Sequence, residues 1–319
     1  MGNTRTRHVI KLDTRKISVM LMSGFIALLF IKNAEAASLF VSRGIEICLT
    51  RLIPSLFPFL VVSSLLLSSG LDKVIGKTIG KPIAMLLGVS DESACAVILG
   101  FICGFPVGAK CACGLLREGK IERRECERLL AICSVPSPAF VTGVIGEDIL
   151  GSRADGIKIW LICAATALGV GIFLRFIDPL QKASYPCATP RHTRKNFGTL
   201  LTSSVREGAQ SMFYVCAFVI FFSSFLGALN TVITPLSLSN DGRAILFGFF
   251  ELTSGSLQLC EVTSKSRFAL CALIAGWSGL SVHFQTMSIC ANSNIKFSPY
   301  IISHAVRAGI GALIASIIL

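Results

Sequence analysis

From Gly208 to Asn240 the chain carries no charged residue, and none stands between Leu52 and Leu71. A helix rises about 1.5 Å per residue, so runs of this length cross the roughly 30 Å hydrocarbon core of a bilayer. Such runs recur along all 319 residues. Composition agrees: 53% of residues are hydrophobic, 15% are charged, and mean hydropathy is +0.72. Soluble domains carry about 25% charged residues. These figures exclude a disordered chain, a disulfide-rich secreted module and an ordinary cytosolic enzyme. They predict an all-α polytopic membrane protein.

Thirty Lys and Arg against eighteen Asp and Glu leave a formal charge of +12. The basic residues sit in short segments between apolar runs rather than in a stripe interleaved with aromatics. They therefore read as positive-inside topology signals, and nucleic acid is not an expected partner. Of thirteen cysteines, Cys95, Cys163, Cys216, Cys271 and Cys290 fall inside apolar runs, where thiols pack as small hydrophobes. Cys111 and Cys113 lack a second pair at zinc spacing, so no metal site is expected.

Arg5, Arg7, Lys11, Arg15 and Lys16 precede an apolar run from Ile17 to Ile31. With Ala34, Ala36 and Ala37 beyond it, this segment resembles a signal peptide and its cleavage site. An uncleaved first span is the preferred reading, because later loops then fall into register. Further expected divisions are a first unit over 51–178, a basic linker over 179–205 and a second unit over 206–319. Pro179, Pro186 and Pro190 interrupt that linker. The alternating charges of Arg117–Arg128 predict a solvated amphipathic helix without chemistry.

Both units follow the same order: a span, a broken hairpin, a polar turn, an irregular run and a final span. This predicts two repeated halves, inverted relative to each other, built with broken or re-entrant helices. GFICGFPVGAK (Gly100–Lys110) interrupts a helix with glycines and a proline. Open backbone there must face protein, water or ligand, and a helix beginning at the break aims N–H groups at an anion. Gly104, Phe105, Pro106 and Lys110 are thus candidate site residues; the alternative is close helix packing with Lys110 at the edge. The counterpart GFFELTSGSLQ (Gly248–Gln258) contributes Glu251 and Thr253. Glu251 could carry a coupling proton, hold a cation or pair with Lys110. AICSVPSPAFV (Ala131–Val141) and AGWSGLSVHFQ (Ala275–Gln285) form a second pair of breaks. They contribute Ser134, Ser137, Ser278, Ser281, His283 and Gln285, while His304 and Arg307 are weaker candidates. No hydrolase signature and no P-loop is present, so neither an enzyme nor an ATP-driven pump is expected, and no cofactor is.

At these residues the sequence resembles the sporulation integral membrane protein family of the YlbJ/SpoVV type. The matching segments are PSLFPFLVVSSLLLSSG (Pro54–Gly70), GFICGFPVGAK, LLREGKIERRECERLLA (Leu115–Ala131), GFFELTSG and GWSGLSVHFQ. The resemblance implies nucleoside-recognition, or Gate, domains in both halves and residence in the outer forespore membrane of an endospore former. It implies carriage of dipicolinate, a flat aromatic dianion that Phe101, Phe105 and Trp277 could face. Rival expectations are a nucleoside or nucleobase carrier and a non-transporting assembly factor.

Overall fold

Each long apolar run forms a helix because lipid offers the backbone no hydrogen-bond partner. The computed structural model describes residues 14–70, 72–180, 196–262 and 266–318. Among them there is no strand, and six helices are long and apolar enough to cross a membrane. A seventh crossing arises if the bent pair Thr78–Leu87 and Asp91–Cys103 is one span. The protein is an all-α polytopic membrane protein.

The order begins with helix Thr14–Lys32, whose Phe30 packs edge-on against Phe221. Helix Ala34–Ser68 follows directly. It is one 35-residue helix, so the alanines resembling a cleavage site lie inside it, and it runs through the expected division at residue 51. Pro54 and Pro58 remove backbone donors from it, and the turns just before Pro54 widen to i→i+5 bonding over Cys48–Leu52.

Three close approaches align this helix with Phe197–Ile233. A Cβ on Gly227 would meet Phe40, one on Gly44 would meet Ser223, and one on Gly208 would meet Val61. As the numbers rise on one helix they fall on the other, so the two long helices run antiparallel. Residues 181–195 of the linker lie outside the described residues, as do Arg5, Arg7 and Lys11.

Asp91–Cys103 and Phe105–Arg117 form a first hairpin, and Asn240–Phe250 with Leu252–Gln258 a second. The broken spans Arg123–Leu150 and Arg267–Ile289 follow the two hairpins, then the spans Arg153–Ile177 and Ser298–Ile318 respectively. Lys296 N donates to Glu127, and Ser303 Oγ to Ala131 O, so Ser298–Ile318 runs parallel to Arg123–Cys133. A Cβ on Gly276 would meet Ala308, and Gly311 lies near Ala272, so the same helix runs antiparallel to Arg267–Trp277.

The segment Arg117–Arg128 departs from its expectation. The first hairpin ends at Arg117, Gly119 turns the chain at φ 68°, and a new helix starts at Arg123. Glu125 and Arg128 are buried rather than solvated. Glu125 accepts from Ser90 N at 2.6 Å and Ser93 Oγ at 2.7 Å. Arg128 donates to the carbonyls of Gly88, Leu174 and Asp178. Charge alternation marked the polarity of this segment but not its partners, which lie 32 to 50 residues away.

Candidate functional site

The first hairpin turns at Gly104, whose φ of 94° and ψ of −174° favour glycine strongly. Pro106 follows in the first turn of the next arm, where a missing N–H costs least. The second hairpin turns at Glu251, which is extended at φ −145° and ψ 121°. Just behind each turn the arms touch through glycines: an added Cβ on Gly108 would meet Gly100, and one on Gly255 would meet Gly248.

Each tip rests against the break in the span that follows it. A Cβ on Gly104 would lie 3.0 Å from Ser137 N, and one on Gly279 2.8 Å from Leu252 N. The first break is extended from Ser134 to Ser137. Its outgoing helix begins at Pro138, with Ser137 Oγ accepting from Phe140 N at 3.3 Å. The second break is tighter, with Ser278 and Gly279 both at positive φ (77° and 83°).

Broken helices leave carbonyls without intrahelical partners. The final span supplies several donors. Ser303 Oγ and Arg307 Nη1 reach Ala131 O at 3.3 and 3.5 Å, and His304 Nδ1 lies 3.2 Å from Gly276 O. Trp277 Nε1 donates to Phe249 O at 3.0 Å, and its ring stacks on that of Phe249.

Between the two tips and the two long helices lies a cavity of about 50 Å³. Gly104, Phe105, Pro106 and Ser137 line it from the first half, and Glu251, Thr253 and Gln285 from the second. Ser55 with Leu52 and Leu56, and Val215 with Val219, close it from the long helices. Sequence reasoning missed these five. Only the prolines flanking Ser55 signalled irregular backbone there, and the apolar residues carry no local signal. A space this size holds a few waters and no aromatic acid. A larger recess of about 470 Å³ adjoins at Thr253, which lines both. Its wall includes Arg43, Glu46 and an Arg51–Asp148 ion pair at 2.6 Å.

The two tips differ in charge. Glu251 is 1% exposed, and its carboxylate accepts from Thr253 N at 3.0 Å and Ser254 N at 2.6 Å, capping its own helix. The helix starting at Phe105 has no side-chain cap, so a positive dipole end borders the cavity there.

Other expected site residues lie elsewhere. Lys110 Nζ bonds Ser64 Oγ at 2.6 Å and pairs with Glu207 at 3.4 Å, not with Glu251. Ser281 Oγ accepts from Gln285, Ser278 Oγ donates to Ala275 O, and Ser134 is buried in its break. His283 Nδ1 faces Tyr300 Oη at 3.0 Å, and Tyr300 bonds Thr286. These residues form the packed polar interior beside the cavity.

The chain is similar to Sporulation integral membrane protein YlbJ of Bacillus subtilis (strain 168). The two are 26% identical over an alignment of 335 positions, which covers 93% of this chain and 81% of that protein. That similarity supports the resemblance to the YlbJ-type sporulation membrane family. No family model matches it, and no solved structure does. The similarity spans both hairpins and both broken spans, and so every element that borders the cavity.

Proposed function

We propose that the protein is a carrier of a small organic anion, dipicolinate, across the outer forespore membrane, working by alternating access without ATP hydrolysis. The observation that carries this reading is the cavity between two hairpin tips, bordered by one uncapped helix N-terminus and one buried carboxylate. Half-helices ending near a substrate site are a working feature of many secondary carriers. The antiparallel long helices, and first span arms that also run opposite ways, support two inverted Gate-like halves.

An anion entering this cavity meets the dipole of the Phe105 helix on one side and Glu251 on the other. Two negative groups in a mostly apolar space repel strongly. A proton or a cation at Glu251 relieves that repulsion, so Glu251 is the coupling group of the proposal.

The test is the dipicolinate content of spores from the native host with this gene deleted. Mother cells that accumulate dipicolinate while spores lack it support the reading. Normal spore dipicolinate overturns it and turns attention to nucleoside uptake.

A further inference from the structure

Arg307 is fully buried in the final span and makes no ion pair among the described residues. A guanidinium keeps its charge in proteins, and an uncompensated charge in an apolar interior is strongly disfavoured. One edge is accounted for: Nη1 points at Ala131 O, near the negative end of the Arg123–Cys133 helix. The other edge is not. Nε and Nη2 are both buried and have no acceptor. Those two nitrogens form the side-on fork whose parallel N–H bonds match a carboxylate.

The neighbours offer no substitute. His304, one turn earlier, has Nδ1 toward Gly276 O, so its neutral ring presents a lone pair at Nε2 and no negative charge. His283 is engaged through Nδ1 with Tyr300. Ser134, one turn beyond Ala131, has a buried hydroxyl without a partner. The cluster adjoins the cavity through one side chain: Phe105 lines the cavity, and its ring centroid lies 6.5 Å from that of His304.

We propose that Arg307 is a carboxylate anchor, taking a planar carboxylate side-on through Nε and Nη2 behind Phe105. The proposal rests on the anion-carrier reading for the route by which a carboxylate arrives. The carboxylate belongs either to the transported acid or to a resident monocarboxylate, and one experiment separates these. Labelled benzoate is titrated against the purified full chain in detergent, with dipicolinate as competitor, for wild type, Arg307→Lys and Arg307→Met.

Saturable binding is expected in wild type, weakened at least roughly tenfold in Arg307→Lys, which keeps the charge but lacks the fork. It is expected to vanish in Arg307→Met. Displacement by dipicolinate assigns the anchor to the transported acid, and binding indifferent to dipicolinate assigns it to a resident monocarboxylate. Benzoate binding equal to wild type in either variant overturns the proposal. Should both variants misfold, the infrared spectrum of wild type with ¹³C-formate decides: a shifted carboxylate stretch supports the anchor, and an unshifted one overturns it. If wild-type vesicles carry dipicolinate while Arg307→Lys binds benzoate normally, the carrier reading stands and the anchor falls. If benzoate binds through Arg307 and no dipicolinate moves, the anchor stands and the carrier reading falls.

Discussion

Gly104 stands at φ 94° with Ser137 3.0 Å from where a Cβ would sit, so both conformation and space select against a side chain. Gly104→Ala should cost about 1–3 kcal/mol and lower the melting temperature in detergent. Glu251→Gln keeps an acceptor for the Thr253 or Ser254 N–H and removes the charge. Its stability should change by less than about 2 kcal/mol, while dipicolinate uptake should lose its response to an imposed proton or cation gradient. Lys110→Met removes one hydrogen bond to Ser64 and an ion pair with a half-exposed Glu207. Thermal unfolding should show a loss of about 1 kcal/mol, and the KM for dipicolinate should stay unchanged because Lys110 lies outside the cavity. The sequence distinguished Glu251 from its surroundings because a carboxylate between apolar runs is costly. It did not reveal that Lys110 faces Glu207, since that contact spans 97 positions and depends on how two helices pack.

At the scale of elements, the four breaks were legible. Gly104, the Ser134–Pro138 stretch, Glu251 and Ser278–Gly279 each place small, kinked or polar residues where lipid-facing helix would exclude them. What the sequence did not show was which donors satisfy the opened backbone. Ser303, His304 and Arg307 do so from a span more than 150 residues beyond the first break. Helix Ala34–Ser68 was also read too short, because Arg43, Glu46 and Arg51 interrupt its apolar run without ending the helix. Their charges face a recess instead, so they need no break. The hairpins depend on glycine contact between their arms. Gly255→Ala should push the second arm off Gly248, cost about 1–3 kcal/mol and reduce helix protection near the tip in hydrogen exchange.

For the whole molecule, membrane class and helical architecture followed from the uncharged runs alone. The cavity did not, because it needs the relative placement of six segments, and five of its wall residues lie on the long helices. In the proposed carrier the tips part from Ser55 and Val219 before an aromatic acid enters, so movement is built into the proposal. The most direct measurement is counterflow of labelled dipicolinate in sealed vesicles containing the purified chain, beside Val219→Trp, which fills the cavity from a long helix. The account predicts saturable exchange by wild type and at least a roughly tenfold loss in a folded Val219→Trp protein. Exchange undiminished by the tryptophan, or none from a folded wild-type chain, would contradict it.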